Sequence, residues 1–329
     1  MHSTLLPKLS SFSNKNSALF AHIPSLGLGI DMGGTQTRWA LSDAMGHILA
    51  EGAAPGATAL QLASEVGQTA IQELFFSLAH NISQGVNRFG KIRCIQAGLT
   101  GFNGDSFAIK KILTNTFDLP DESVSISNDI EIAFLDVFQP GEGYLVYAGT
   151  GSICAYIDEN RHFHRAGGHG YVLDDAGSGY WIARKALKHI WREEDMNPGA
   201  WHSSSMAKAV FDHIGGHDWN RSRDFIYQNA RGEVGMLAMA VASAANSDSV
   251  ALNILTEAGS QLARLAQAMC LRFGQKPIAL SGRVQELHPI IKLSMQQNLP
   301  AHVNLRQCKN VAHHGAARIA AKQTTLLTA

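Results

Sequence analysis

The sequence predicts an α/β protein built from one folding unit repeated twice, the second copy carrying a helical insert. A run of strand, glycine turn, strand, polar turn and strand, followed by alternating helix and strand, occurs twice, about 115 residues apart. Hydrophobic residues make up 45% of the 329, enough for real cores, which excludes a disordered or collagen-like chain. That length suits about two domains.

Residues 1–26 carry Ser, Asn, His and two lysines (Lys8, Lys15), with neither acid nor arginine. No long apolar segment follows, so they read as a disordered leader outside the fold. The first domain spans 27–138. Gly27 to Asp31 is a short apolar strand ending in an acid, and Met32-Gly33-Gly34 is a hairpin turn. Thr35 to Leu41 and His47 to Glu51 are strands joined by the turn Ser42 to Gly46. Leu60, Ala63, Val66, Ala70, Leu74 and Leu78 recur every three or four residues and predict a helix over 59–81. A strand (92–97), a helix (105–117), a strand (124–127) and a helix (130–138) complete the unit.

The second domain, 139–329, repeats the opening. Gly143 to Gly149 is a strand, Thr150-Gly151-Ser152 a small-residue turn, and 153–157 and 161–166 are strands around Asp158-Glu159-Asn160. A mostly helical insert occupies about 178–273, and two later strands fall at 278–281 and 303–305. The final helix is a candidate to pack back on the first domain. Residues 251–273, with Leu252, Leu255, Leu262, Leu265 and Met269, fit a core helix or a homodimer contact.

Composition narrows the function. Lys+Arg and Asp+Glu number 27 each and charged residues are only 16%, so no basic surplus exists to hold nucleic acid. The longest near-apolar stretch, Ala238 to Ala245, is too short to cross a membrane. Cys94, Cys154, Cys270 and Cys308 lie far apart without paired spacing, which reads as reduced thiols and a cytoplasmic location. His313-His314 and His162 with His164 have no carboxylate or cysteine at metal-binding spacing and read as surface histidines. No Ser-His-Asp or Cys-His arrangement can be assembled from spacing.

Two glycine-tipped hairpins, one per half, suit a ligand gripped between two domains. Turns without side chains let backbone N–H groups approach phosphate oxygens closely. Asp31, just before the first turn, fits a carboxylate holding hydrated Mg²⁺, and Thr35 and Thr37 offer hydroxyl donors. The Gly-Lys-Ser/Thr string of a Walker loop is absent, and a strand rather than a helix follows the turn, unlike a dinucleotide loop. Asn128-Asp129 ends a strand and opens a helix. There it is either a helix cap or a cleft-facing base for a sugar hydroxyl. Gly167-Gly168-His169-Gly170 running to Asp174-Asp175-Ala176-Gly177 mixes acids with small residues, which suits vicinal hydroxyls, or else caps its own loop.

Asp31-Met32-Gly33-Gly34-Thr35, Ser127-Asn128-Asp129, Ala148-Gly149-Thr150-Gly151-Ser152 and Gly167-Gly168-His169-Gly170 through Ser178 together resemble the N-acetylglucosamine and glucosamine kinases of the BadF/BadG/BcrA/BcrD ATPase-like family. The resemblance runs from about Leu28 to Ala320. It implies an actin-like ATPase fold of two ribonuclease H-like domains closing an interdomain cleft over ATP and an amino sugar. It further implies Asp31 near Mg²⁺, Gly33, Gly34 and Thr35 near the γ-phosphate, and Gly149, Thr150, Gly151 and Ser152 as a second phosphate loop. Asp129 would be the base, acting on the 6-hydroxyl. Thr58, Asn128, Thr150, Gly168, His169 and Asp175 would line the sugar, and Gly282 would pack against adenosine.

Departures from the family pattern at His169, Asp174, Ala176 and Ile153 all fall on the sugar side. Two other classes compete: an ATPase that activates an iron–sulfur enzyme, which needs paired cysteine thiolates, and a sugar-responsive regulator, which needs a DNA-binding module.

Overall fold

The computed structural model describes residues 24–327, apart from 35, 87–88, 101, 103–105 and 310. Most of the expected leader, 1–23, lies outside the described residues. The chain divides into two units, residues up to 136 together with those from 310 onward, and residues 137–309.

In the first unit, β1 (Ser25–Met32), β2 (Gln36–Ser42) and β3 (Ile48–Pro55) form an antiparallel meander. A 3₁₀ turn at Ala59–Ala63 precedes α1 (Glu65–Val86), then come β4 (Lys91–Leu99), α2 (Phe107–Phe117), β5 (Val124–Ser127) and α3 (Asp129–Val137). β4 lies parallel to β1, and β5 parallel to β4, so the sheet order is β3-β2-β1-β4-β5. β1 takes in Ser25 and Leu26, which sequence placed in the leader, because Leu26 continues the alternation and is fully buried. The single helix expected over 59–81 is split at Ser64. That residue is extended, and its Oγ accepts the Gly67 N–H at 3.1 Å, starting α1 afresh.

The second unit repeats this plan with β6 (Tyr144–Ala148), β7 (Ser152–Ile157) and β8 (Phe163–Gly167). Its third strand begins later than expected because Asp158 Oδ1 accepts the His162 N–H at 2.8 Å and Arg161 takes φ 66°, holding both in the turn. The helical stretch comprises α4 (Gly179–Met196), α5 (Ser205–Ile214), α6 (Trp219–Gln228), α7 (Arg231–Gly235), α8 (Leu237–Ala244) and α9 (Ser249–Phe273). After it come β9 (Ile278–Ser281), α10 (Pro289–Gln297) and β10 (Leu305–Gln307). The sheet order β8-β7-β6-β9-β10 reproduces that of the first unit, strand for strand. No described helix is long and apolar enough to cross a membrane.

The last described helix, α11 (Ala312–Leu327), packs on the first sheet, so the residues that follow the second unit complete the first. The β1 sequence explains how. Its even positions, Leu26, Leu28, Ile30 and Met32, are fully buried in a core shared with Ile71, Phe75 and Leu78 of α1 and Ile109 and Leu113 of α2. Its odd positions Gly27 and Gly29 face the other way. Any Cβ on Gly27 would strike backbone of Ala317, Ala320 and Ala321, and one on Gly29 would strike backbone of His313 and Ala317. The buried Ala316, Ala317, Ala320 and Ala321 therefore lie directly on the strand.

Gly29→Ala introduces a methyl group where only backbone can yield. It should lower stability by about 3 kcal/mol or more, measured by urea unfolding, at the upper end of overpacking effects. Unfolding within about 0.5 kcal/mol of wild type would contradict this packing.

Candidate functional site

In the first unit the candidate residues gather at one end of the sheet. Asp31 pairs in register with Gly98, and Gly98 with Ser127, so Asp31 and the Asn128-Asp129 pair sit at the same end of the sheet, with β4 between their strands. The glycine turn follows Asp31, and the Gly33 N–H donates to the Gln36 carbonyl at 3.2 Å. The Gly33 carbonyl accepts the Ala57 N–H at 3.1 Å, and the Met32 carbonyl accepts the Thr100 N–H at 3.0 Å. These bonds bring Thr58 beside the turn: a Cβ on Gly34 would lie 3.3 Å from Thr58 Cγ2. Thr58 opens the 3₁₀ turn, and its N–H donates to Gln61 Oε1 at 2.8 Å. Thr35 lies outside the described residues. Thr37 does not serve as a donor at this end: alternation puts it with Trp39 and Leu41 on the core side, fully buried.

Asn128 and Glu131 form a reciprocal cap. Asn128 Oδ1 accepts the Glu131 N–H at 2.8 Å, and Glu131 Oε2 accepts the Asn128 N–H at 3.1 Å. Sequence left capping and catalysis as rival accounts of Asn128-Asp129, yet the structure separates the two side chains. Asn128 does the capping, while Asp129 Oδ1 accepts the adjacent Ile130 N–H at 3.0 Å. Burial, together with the negative charge of Asp129, pushes the Asp31 carboxyl up from 3.8 to about 6, against the smaller pull of Arg38. Carboxylate oxygens that repel one another in a half-buried position suit a hard divalent cation, whose charge relieves the repulsion. Mg²⁺ fits this donor set.

In the second unit the loop between β6 and β7 is tied to the glycine–acid segment. The Gly149 N–H donates to the Gly151 carbonyl at 2.9 Å, and the Gly149 carbonyl accepts the Gly179 N–H at 2.8 Å. Ser152 Oγ donates to the Ala176 carbonyl at 2.8 Å, and the Gly168 N–H to the Ser152 carbonyl at 2.9 Å. Asp175 is buried, at φ 53°, with its Oδ1 accepting the Gly170 N–H at 3.1 Å. A Cβ on Gly151 would come within 2.7 Å of Asp175 Oδ2, so the carboxylate presses on the loop, and burial raises its pKa. His169 is exposed nearby and adds positive character to Asp175, as does Arg231. Gly282 takes φ 91° and packs on the Ala148 backbone at the end of β6. Thr150, Gly151, Ser152, Gly168, His169, Asp175 and Gly282 thus occupy one region of this unit.

Asp174, by contrast, is a structural acid. It pairs with Arg264 of α9 at 3.1 Å, and its Oδ1 accepts the Ala176 N–H at 3.2 Å. Sequence reasoning missed Arg38, Arg231 and Glu131. Arg38 was open to discovery, because a hairpin about Gly33-Gly34 pairs it with Asp31. Glu131 fits the cap spacing after Asn128. Arg231 is remote in sequence from the acid it faces and carried no signal. Cys94 and Cys154 are fully buried within β4 and β7, and burial raises both thiols, which suits inert core residues rather than cluster ligands.

Comparisons with known proteins agree with this architecture. An N-acetylmuramic acid/N-acetylglucosamine kinase of Clostridium acetobutylicum is 25% identical over 304 residues, 89% of this chain and 97% of that protein. An N-acetyl-D-glucosamine kinase of Dictyostelium discoideum is 29% identical over 178 residues, 51% of this chain and 54% of the relative. A crystal structure from Chromobacterium violaceum, provisionally named an N-acetylglucosamine kinase, superposes with a TM-score of 0.69 at 24% identity, covering 91% of this chain and 99% of that one. A ROK family glucokinase from Streptomyces griseus, solved with glucose and AMPPNP, gives 0.57 at 16% identity, covering 91% and 98%. These likenesses show the actin-like ATPase fold. The family model covers residues 28–309, and on that match the chain belongs to the BadF/BadG/BcrA/BcrD ATPase family.

Proposed function

We propose that this protein transfers a phosphoryl group from ATP to an amino sugar of the N-acetylglucosamine or glucosamine type, at its 6-hydroxyl, with Asp129 as general base. The observation that carries the proposal is the electrostatic coupling of Asp31 and Asp129 at the strand ends beside the Gly33-Gly34 turn. Two acids kept close at a cost in stability are what phosphoryl transfer to a hydroxyl uses, one toward the metal and one toward the acceptor. Support for the sugar class comes from the names of the two kinase relatives.

In this reading Asp31 holds Mg²⁺ through water, and the ion when bound offsets charge on the phosphate oxygens. The Gly33 and Gly149 N–H groups close their own turns. Phosphate contact is assigned in this reading to the N–H groups of Gly34, Thr35, Thr150, Gly151 and Ser152. Gly282 packs against the adenosine. Thr58, Asn128, Gly168, His169 and Asp175 orient the sugar, Asp175 by accepting hydroxyl hydrogen bonds. Asp129 takes the hydroxyl proton as the sugar oxygen bonds to the γ-phosphorus and the bond to ADP breaks. Holding the acceptor in line and excluding water keeps ATP from being hydrolysed without transfer.

ADP release by the purified protein should rise with N-acetylglucosamine or glucosamine, and less with glucose. A rate unchanged by every sugar would overturn the reading. Asp129→Asn should fold normally, since Asn128 and Glu131 retain the cap, and lose at least about 100-fold in turnover. Near-normal turnover in that variant would remove Asp129 from the chemistry.

A third expectation concerns pH. Asp31 binds its proton more tightly folded than unfolded, so its contribution to stability falls as pH rises from 3.8 to about 6 and stays low above. Asp31→Asn should therefore stabilise the nucleotide-free fold at pH 8 by roughly 1–2 kcal/mol, after allowance for solvent screening, and by little at pH 4. Urea unfolding at the two pH values checks it.

A further inference from the structure

His313 and His314 have no carboxylate neighbour in sequence, but the fold supplies one. Both lie in the first turn of α11, and Glu51 reaches them from edge strand β3. Glu51 Oε2 is 3.4 Å from His313 Nε2 and 2.5 Å from His314 Nε2. One donor atom from each residue lies within 4.8 Å of the other two, and the two rings meet edge to face with centroids 4.5 Å apart.

Two imidazole nitrogens and one carboxylate oxygen are a borderline donor set that suits zinc, with bonds of about 2.0–2.2 Å. Two such bonds at a tetrahedral angle hold their donors about 3.3 Å apart. The His313–Glu51 separation already has that value. The His314–Glu51 pair must open a little, and Glu51, 55% exposed, has the freedom to do so. Asp136, the other carboxyl near His314, is ion-paired with Arg318 at 3.4 Å, and Arg38 adds a positive charge near His313.

We propose that Glu51, His313 and His314 form a structural site for a zinc-type divalent cation, with water as its fourth ligand, which ties the start of α11 to edge strand β3. The site is separate from the residues assigned to phosphoryl transfer and does not rest on that assignment. Its place explains its use. The His313 backbone abuts Gly29, so the cation fastens the helix turn that covers the middle of β1.

Full-length protein stripped with EDTA and titrated with ZnCl₂ by calorimetry tests this. Wild type should bind one equivalent and melt at higher temperature with zinc than without. Glu51→Gln and His314→Asn should each weaken binding at least about tenfold and abolish the thermal gain. The double variant His162→Asn/His164→Asn, at the other histidine pair, should behave as wild type. Absence of zinc binding by wild type would overturn the site, as would variants at Glu51 and His314 that bind as tightly, or loss of binding in the His162/His164 variant. Should the single variants fold poorly, cobalt(II) absorption of wild type decides: an intense four-coordinate spectrum supports the site, and a weak six-coordinate one overturns it.

Discussion

The contact on which the first unit depends is backbone against backbone, where the alanines of α11 rest on the glycine face of β1. A strand interior normally gains from side chains, and glycine weakens it. Here the loss is offset because the helix approaches close enough to bury both surfaces completely. The alternation Leu-Gly-Leu-Gly-Ile-Asp-Met then does two jobs at once. Bulky residues build the core with α1 and α2, and the small ones admit the helix. The next odd position is Asp31, where the glycines stop. The packing that closes the unit thus also fixes where its acid emerges.

The same economy appears in the second unit, with different residues. Its β6–β7 loop, the Asp175 carboxylate and Gly282 are held together by close approaches in which glycine is the only residue that fits. What the two units share is topology rather than packing detail. The sheet orders coincide, yet α11 covers one sheet, and α9 packs beside the second. Electrostatics sets the first unit apart. A carboxyl raised to about 6 by burial and by the Asp129 charge opposes folding at neutral pH.

Much of this was legible in the chain. The strands of both meanders, the polar turns and the duplication followed from alternation and glycine placement, since these are local signals. The resemblance to a kinase family was carried by short motifs in order, and the family match agrees. Boundaries slipped where side chains acted on backbone, as at Ser64 and Asp158. Thr37 was misjudged because a hydroxyl says nothing of which face of a strand it occupies. Arg231 beside Asp175, Arg264 on Asp174 and Glu51 against the histidine pair join residues far apart in sequence, and no periodicity announces such meetings. Asn128 and Asp129 show the finer limit: which of two adjacent residues of similar chemistry caps the helix is decided only once geometry is known.

The discontinuity of the first unit has a consequence for biosynthesis. A ribosome delivers β1 through α3 early, then the whole of the second unit, and only afterwards the alanines that must cover Gly27 and Gly29. During that interval the nascent strand shows a bare, hydrogen-bonded but unshielded surface to solvent or to chaperones. The later segment therefore acts as a timed latch, and interruption of translation before about residue 321 would release a polypeptide whose first-emerging half lacks the helix that covers Gly27 and Gly29.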